Sequence, residues 1–414
     1  MESDFTKFLV GYFAGDQAVI TNPYPAFRQL REHGPVLRVD AGTGAPWDDA
    51  WHVFDYATVA ALLRDDRMSA RRDLGGRRPP AAGSASEHGG PEGGSAGPPI
   101  PPMMLTMDPP DHTRLRRLVT AAFTPKVVER LRGDVQQLVD DLLDEAEAGA
   151  GGGAFDLVRE VAYPLPTIVI SRLLGLPDAD WPDIKRWSEP GISFAEDPRS
   201  VPNAVALGGY LAEAVARHRR EPVDDGGLIG AMVAARDGGD VLSDAELIGQ
   251  CQLLLVAGHE TASYAIASAV LNLLRTPGAW EGVPDQPIDV AVEELLRYDA
   301  PFQTLNRRAA ADIEAKGRNI RAGELVWLWL GAANHDPAQF ADPDRLDLGR
   351  RDNRHLSFGF GIHFCLGAAL ARLEMRVTLA SLRARFPGLR LAEEEIAWRD
   401  PAIRGPRTLP VAWS

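Results

Sequence analysis

The chain has 414 residues, of which 45% are hydrophobic and 25% are charged. This composition is typical of a soluble globular protein and excludes a collagen-like, disordered or coiled-coil chain. The formal net charge of −14 argues against a general binder of nucleic acids or of anionic membranes. The two cysteines, Cys251 and Cys365, are too few for a disulfide framework or a multi-cysteine zinc site. Because no run reaches about 18 apolar residues and the start, Met-Glu-Ser-Asp, lacks a basic leader, we expect a cytoplasmic protein without a membrane segment.

The N-terminal part predicts mixed structure, with short strands at 36–39 and 51–54. From 75 to 102 the composition changes, since 15 of these 28 residues are Gly or Pro. Such a composition excludes a packed element. The segment is either a linker between two domains or a flexible loop over a functional site within one domain, and the composition favours neither.

Beyond residue 110 the spacing of apolar residues predicts a mostly helical chain. The longest predicted helix runs from Ser243 to Arg275, with a capping box of Ser243 and Glu246 at its start and Pro277 just past its end. At a rise of about 1.5 Å per residue it would be about 50 Å long, enough to cross a domain. Further helices are predicted near 160–174, 203–219 and 225–236, and strands near 325–330 and at the C-terminus.

A glycine-rich string surrounds the second cysteine: residues 358–367 read Phe-Gly-Phe-Gly-Ile-His-Phe-Cys-Leu-Gly. Its three glycines allow tight turns, and the residues that follow are good helix formers. Cys365 is therefore predicted at a helix N-terminus, where the dipole and free N–H groups favour a thiolate, a natural axial ligand for haem iron. A lone cysteine is more often a small buried apolar residue, and a dinucleotide loop is excluded because Phe364 stands where its third glycine would be.

The string resembles the haem-binding signature of the cytochrome P-450 family. All the defining positions are present: Phe358, Gly361, His363, Cys365 and Gly367. In that family the cysteine is the proximal ligand of the iron. The resemblance therefore implies that Cys365 is the metal ligand, that haem b is the cofactor, and that Phe358, His363 and Gly367 belong to the haem-binding site.

The resemblance extends over nearly the whole chain and implies its fold. We expect a mainly α protein of the cytochrome P-450 fold, with a long central helix and small β-sheets, forming a single domain over residues 1–414. The Gly/Pro-rich segment 75–102 would then be a flexible loop over the substrate pocket rather than a linker. Other pocket walls are expected at 160–200, at 301–305, where Phe302 suggests an apolar wall, and near 400–405.

The middle of the long helix reads Ala257-Gly-His-Glu-Thr. Gly258 costs the helix about 1 kcal/mol relative to Ala. Ala257, Gly258 and Thr261 share one helix face, which leaves room for a flat group and a small gas molecule. Taken alone, the segment could instead be a polar stretch facing water, with Thr261 bonded back to a carbonyl. It resembles the oxygen-activating motif of the family, which implies that Glu260 and Thr261 support proton delivery to dioxygen.

A second motif lies on a helix predicted near residue 294. Glu294 and Arg297 are three residues apart and, by default, would form a surface ion pair worth about 0–1 kcal/mol. They match the Glu-x-x-Arg motif of the family, which implies a buried structural pair behind the haem. Arg345, within Pro343-Asp-Arg-Leu346, is expected to be the second arginine of that cluster, although Asp344 and Leu346 depart from the commoner Glu and Phe.

Four side chains are candidates for holding the haem propionates. His112 and Arg116 lie four apart on one predicted helix face, and arginine suits bidentate carboxylate binding. Without a ligand they would be an ordinary solvated basic face. The surrounding segment is similar to bacterial members of the family, in which this pair binds propionates. Arg307 and His363 fall at two further propionate positions, and the adjacent Arg308 leaves the register of Arg307 open.

The resemblance implies a haem-thiolate monooxygenase that inserts one atom of dioxygen into a small, largely apolar organic substrate in natural-product or xenobiotic metabolism. The alternatives are a peroxide-driven peroxygenase, which the intact Glu260–Thr261 pair disfavours, and a non-catalytic haem-binding homologue.

No flavin or nicotinamide segment is recognisable, so we expect electrons from a ferredoxin-type donor with its reductase. Basic residues within 112–132 and 345–376 predict a docking patch for an acidic donor. We expect a monomer that binds neither nucleic acid nor membranes.

Overall fold

The computed structural model describes residues 2–40, 42–45, 47–71, 101–151, 153–188, 200–221, 227–236, 239–399 and 403–413. The Gly/Pro-rich segment predicted as a loop lies outside these residues except for its last two positions. Its flexibility, and the prediction of a single domain over the whole chain, therefore stay predictions.

Helices dominate the described chain, as the apolar periodicity predicts. A π-helical stretch, Val158–Ala162, leads into the eighth of them. The α-helices are α1 Glu2–Phe13, α2 Gln17–Ile20, α3 Tyr24–His33, α4 Tyr56–Leu62, α5 Asp111–Ala122, α6 Pro125–Arg130, α7 Arg132–Gly149, α8 Pro164–Leu174, α9 Trp181–Ser188, α10 Ser200–Arg220, α11 Leu228–Ala234, α12 Asp244–Arg275, α13 Ala279–Gly282, α14 Ile288–Tyr298, α15 Leu330–Asn334 and α16 Ala368–Arg385.

The long helix α12 begins and ends where the sequence predicts. The Ser243 hydroxyl accepts a hydrogen bond from the Glu246 N–H at 3.3 Å, and the Glu246 carboxylate accepts one from the Ser243 N–H at 2.8 Å. In the described part of the chain, α12 alone is long and apolar enough to cross a membrane, but 72% of its most apolar window is buried inside the protein. It packs against α8, α10 and α16 and is therefore the central helix of the fold.

The strands form three small sheets. They are β1 Val36–Val39, β2 Ala50–Val53, β3 Met68–Ser69, β4 Ala154–Asp156, β5 Leu305–Ala309, β6 Ile313–Ala315, β7 Arg318–Ile320, β8 Leu325–Leu328, β9 Arg390–Leu391 and β10 Pro410–Ala412. A five-stranded sheet has the order β1-β2-β8-β5-β3, a three-stranded sheet the order β4-β10-β9, and a hairpin joins β6 and β7. In the five-stranded sheet, β2 pairs in parallel with β8, and the other pairs are antiparallel.

Two clusters of buried apolar side chains hold these elements together. The larger one runs through α7, α8, α12 and α16 and includes Val139, Leu173, Ile266 and Leu379. The smaller one joins α4 to the five-stranded sheet. Since fully burying one such side chain stabilises a protein by about 1.5–3 kcal/mol, the larger cluster fixes α12 relative to α16, and thus relative to the cysteine loop that precedes α16.

The buried ion pair on α14 exists, but its second arginine is not the predicted one. Glu294 and Arg297 are fully buried, with 2.8 Å between the Glu294 carboxylate and the Arg297 guanidinium. The second arginine is Arg350, whose Nε lies 3.0 Å from Glu294 Oε2. Arg345 is 69% exposed, pairs with Asp347 and contributes only its carbonyl to Arg297. The expectation for Arg345 is wrong because the loop turns between Asp347 and Arg350, where the Arg350 N–H donates to the Asp347 carbonyl at 2.9 Å.

Candidate haem-binding site

The loop before α16 contains two residues in a backbone conformation that favours glycine. Gly359 and Gly361 have φ angles of 70° and 74°, in the left-handed region that other residues rarely adopt. A Cβ at Gly361 would lie 2.4 Å from the carbonyl oxygen of Leu63, at the end of α4. The Cys365 N–H donates to the Phe358 carbonyl at 2.9 Å and closes the loop. Sequence and packing together therefore fix where Cys365 stands.

Cys365 precedes α16, and its side chain is open to solvent although protein surrounds much of it. Burial by the surrounding protein raises the pKa of its thiol, and the N–H groups of Gly367 and Ala368 and the charges of Arg116 and Arg372 only partly oppose this rise. Burial therefore works against the thiolate, and the N–H groups at the start of α16 work for it. A coordinated metal ion deprotonates a thiol outright, so Cys365 suits a metal ligand better than a free nucleophile.

The four predicted propionate partners converge beside this loop. The rings of His112 and His363 lie 4.3 Å apart. Both ring nitrogens of His112 and Nε2 of His363 are buried without a hydrogen-bond partner among the described residues. Burial lowers the pKa of His363 to about 3, helped by Arg307, His112 and Arg116. Burial likewise lowers the pKa of Arg116 and of Arg307, with Asp108 as an opposing charge near Arg307. Added carboxylates would stabilise this cluster by supplying negative charge and hydrogen-bond acceptors. The two propionates of haem are carboxylates of this kind.

The structure also separates the two adjacent arginines on β5. Arg308 donates to the Gly323 carbonyl at 2.6 Å, whereas Arg307 is close enough to His112 and His363 to lower the pKa of both. Successive side chains on a strand point to opposite faces, so only one of the two can face the cleft. Arg307, and not Arg308, is therefore the arginine that lies beside the two histidines.

The Ala-Gly-His-Glu-Thr segment lies in the middle of α12. His259 and Glu260 are 1% and 3% exposed, which excludes a polar stretch facing water. Thr261 donates its hydroxyl to the Ala257 carbonyl at 2.8 Å, the back-bond that the sequence allowed. A Cβ at Gly258 would lie 3.4 Å from Ile170 of α8, so Gly258 admits close packing by α8 as well as the space predicted for a ligand.

Sequence reasoning missed two contacts of this helix with distant parts of the chain. The Arg399 guanidinium lies 3.4 Å from the Glu260 carboxylate, and no motif marks Arg399. The Gln250 amide donates to the Pro102 carbonyl at 2.9 Å and accepts from the Met104 N–H at 3.4 Å. A glutamine in an otherwise apolar run was a usable signal for the second contact, because a buried amide needs partners.

A helical fold built around one long helix, with a glycine-shaped cysteine loop and a cationic cluster beside it, defines a haem-thiolate protein. A model of the cytochrome P450 family matches residues 288–391. Cytochrome P450 107B1 of Saccharopolyspora erythraea is 40% identical over 404 residues, which cover 96% of both chains. Nocardicin C N-oxygenase of Nocardia uniformis is 42% identical over 400 residues, covering 94% of this chain and 95% of that protein.

Solved structures agree with these sequence matches. The bacillaene polyketide synthase cytochrome P450 PksS of Bacillus subtilis superposes with a TM-score of 0.84 at 35% identity, covering 97% of this chain and 99% of that one. The chain belongs to the cytochrome P450 family. It is a haem-thiolate monooxygenase with haem b as its cofactor, so the predicted fold class, cofactor and reaction class are confirmed.

Proposed function

We propose that this monooxygenase inserts oxygen into a small, largely apolar natural product. The observation that carries the proposal is the cluster of His112, Arg116, Arg307 and His363 beside the Cys365 loop. Relatives named for such chemistry include the mycinamicin IV hydroxylase/epoxidase of Micromonospora griseorubida and the monooxygenase PikC of Streptomyces venezuelae. Two predicted pocket walls also meet, since the Arg404 N–H donates to the Pro301 carbonyl at 2.8 Å.

The experiment is a screen of macrolactones, terpenoids and aromatic natural products for a spectral shift of the ferric protein. Hits are then turned over with isotopically labelled dioxygen and a surrogate reductase. We expect a product that carries one labelled oxygen atom. Product formed only with peroxide, and none with dioxygen and electrons, would favour the peroxygenase alternative.

The residues of the cleft divide into those that hold the cofactor and those that face the substrate side. Haem b, when bound, supplies the iron centre at which dioxygen is activated. Cys365 would ligate the iron, and Phe358 would lie beside the ligand, with the Arg372 guanidinium 4.4 Å from the Phe358 ring centre. His112, Arg116, Arg307 and His363 would bind the two propionates. Gly367, the N-cap of α16, points its N–H toward the sulfur and partly offsets the rise in the thiol pKa.

Proton delivery would be the work of Glu260 and Thr261. The Thr261 hydroxyl donates a hydrogen bond to the Ala257 carbonyl. Its oxygen lone pairs therefore remain available to accept a hydrogen bond. Ala257 and Gly258 keep that side of the helix free of bulk. Thr261→Ala should keep haem but divert electrons to hydrogen peroxide, and Glu260→Gln should slow turnover. Thr261→Ser, which keeps the hydroxyl, is the matched control. If Thr261→Ala and Glu260→Gln both form as much product per electron pair as the wild type, the pair has no role in proton delivery.

Bacterial members of the family take electrons from redox partners, and we propose a ferredoxin-type donor with its reductase for this chain. The predicted basic patch is largely neutralised by ion pairs. Arginines within it that pair with carboxylates are Arg114, Arg132, Arg345, Arg350, Arg354, Arg372 and Arg376. Phe360 and Ile362 of the cysteine loop are exposed apolar side chains. Donor binding should therefore depend on this loop and only moderately on ionic strength. Phe360→Ser should lower the rate of reduction by an acidic ferredoxin more than added salt lowers the rate for the wild type.

We also propose a monomeric cytoplasmic protein with no nucleic-acid or membrane partner. Solved structures of bacterial relatives support the location. Light scattering of the haem-loaded protein tests the oligomeric state, and fractionation of cells that express the full chain tests the location.

A further inference from the structure

A cation from the C-terminal part of the chain reaches the buried acid of α12. Glu260 and Tyr264 are four residues apart and share one face of the helix. Arg399 spans both of them: its Nη2 lies 3.4 Å from Glu260 Oε1, and its Nη1 donates to the Tyr264 hydroxyl at 2.7 Å. One guanidinium thus contacts the acid and the next polar side chain along the same face.

The backbone that carries Arg399 is fixed against α12. The Arg399 N–H donates to the Gly405 carbonyl at 2.8 Å, and Trp398 pairs with Pro406 in an isolated β-bridge. A Cβ at Gly405 would lie 2.4 Å from the Tyr264 ring, so the segment rests directly on the helix. The approach of Arg399 to Glu260 is therefore set by backbone packing and not by a freely moving side chain.

The two partners differ in their access to water. The Glu260 side chain is 4% exposed and the Arg399 side chain 30% exposed. A buried carboxylate needs a counter-charge to stay ionised, and Arg399 supplies one that touches solvent. Burial alone would lower the pKa of Arg399, but Tyr264 and Glu260 outweigh burial and raise it. Arg399 therefore stays charged and does not itself carry protons.

Other titratable groups face this pair from each neighbouring element. His259, on α12, donates from Nδ1 to the Leu255 carbonyl at 2.7 Å and accepts at Nε2 from the hydroxyl of Tyr163, 3.3 Å away. Burial lowers the pKa of His259 to about 4, so its ring is neutral. Among the described residues, the other groups that face this pair are Tyr163 before α8, His259 and Tyr264 on α12, and Arg407, which acts on Tyr264 from the C-terminal segment.

We propose that Arg399 is a positioning residue for proton delivery: it holds Glu260 ionised and oriented between solvent and Thr261. The proposal rests on the proposed role of Glu260 and Thr261. The separation of 3.4 Å exceeds the roughly 2.7–2.9 Å of a strong charge-assisted hydrogen bond. Arg399 thus orients the carboxylate by charge and does not lock it in a short hydrogen bond. Glu260 takes up a proton from solvent, which weakens its pairing with Arg399. Release of that proton toward Thr261 returns Glu260 to the carboxylate, which pairs with Arg399 again.

The test compares Arg399→Gln, Arg399→Lys and Arg407→Gln in the haem-loaded protein. Arg407 is the matched control, because it lies in the same segment and donates to the Trp398 carbonyl at 3.0 Å. The first readout is infrared titration of the Glu260 carboxyl band, identified by its absence in Glu260→Gln. Without the cation the acid form is favoured, so in Arg399→Gln the titration midpoint should rise by about one pH unit, a tenfold change in the ratio of acid to carboxylate.

The second readout is product formed per electron pair. Arg399→Gln should lose several-fold in coupling, with its pH dependence displaced upward like the infrared midpoint. Arg399→Lys, which keeps the charge, should restore most of both, and Arg407→Gln should resemble the wild type. Haem content and melting temperature of every variant exclude a mere folding defect.

Two results would overturn the proposal. One is an infrared midpoint in Arg399→Gln equal to that of the wild type. The other is a loss of coupling that Arg399→Lys fails to restore while the protein melts at a lower temperature, which would make Arg399 a structural staple. If Glu260→Gln itself leaves coupling intact, the proposed role of the acid fails, and this outcome is separate from the first two.

Discussion

The two sides of the haem cleft are built in different ways. On the cysteine side, the site is made by residues close together in the chain: a loop that closes on itself through the Cys365 N–H and Phe358 carbonyl, with glycine conformations that no other residue adopts readily. On the α12 side, each functional position depends on a distant segment: Glu260 meets Arg399, His259 meets Tyr163, and Gln250 meets Pro102. The first side is therefore fixed by local backbone geometry, and the second by side chains that tertiary packing brings together.

The cysteine side should be the less tolerant of the two, and the buried ion cluster behind it provides the largest expected effect. Arg350→Gln removes a partner of the buried Glu294 and should lower the free energy of unfolding by about 3 kcal/mol or more. Arg345→Gln, the matched control, removes only an exposed pair and should cost less than about 0.5 kcal/mol. Urea unfolding of both variants measures this difference, and equal costs would restore Arg345 to the cluster.

The glycine that packs against α4 tests the loop itself. Gly361→Ala combines a positive φ with a Cβ 2.4 Å from the Leu63 carbonyl oxygen and should cost about 2–4 kcal/mol and reduce haem content. Gly317→Ala has a similar φ of 72° but nothing within 4 Å of the added Cβ, so it should cost only about 1 kcal/mol. Thermal unfolding and haem content measure both. A similar cost for the two variants would show that conformation alone, and not packing on α4, sets the loop.

The α12 side should be sensitive to acid. The folded protein keeps His259 neutral because burial lowers its pKa to about 4, whereas the unfolded chain binds a proton near pH 6.5. The unfolded state gains protons first as the pH falls, so this stability is complete above about pH 6.5 and is lost progressively toward pH 4. Between pH 7 and pH 5 the loss should be about 2 kcal/mol. His259→Gln should lose less over that range in urea unfolding, and an identical loss would assign the acid sensitivity elsewhere.

The smallest effect concerns the anchor between α12 and the residues before α5. Gln250→Leu leaves the Pro102 carbonyl and the Met104 N–H without their partner and should cost about 1 kcal/mol, a roughly fivefold loss of protection. Hydrogen exchange at 103–106 measures it. Gln252→Leu is the control, because Gln252 bonds instead to the Ala204 carbonyl on α10. Equal exchange in the two variants would contradict a specific anchor at Gln250.

The same contrast explains what the sequence could predict. The cysteine loop, the caps of α12 and the Glu294–Arg297 pair follow from short patterns, since each is fixed by residues a few positions apart. Arg350 was missed because a loop turn decides which of two nearby arginines reaches Glu294. Arg399 was missed for a stronger reason: its partner lies in another part of the chain, and no local spacing records a tertiary contact. The effect of burial on the pKa of the Cys365 thiol could not be predicted either, because it depends on the protein packed around the loop.

We propose that Cys365 would ligate the haem iron and that the cationic cluster beside it would bind the propionates. The most direct measurement is the difference spectrum of the reduced carbon monoxide complex, recorded for the wild type, Cys365→Ala and Cys251→Ala after equal haem loading. A thiolate ligand gives the red-shifted Soret band that names the family. We predict that the wild type and Cys251→Ala show this band, since Cys251 is buried within α12, and that Cys365→Ala loses it. A band that persists in Cys365→Ala would show that another residue ligates the iron.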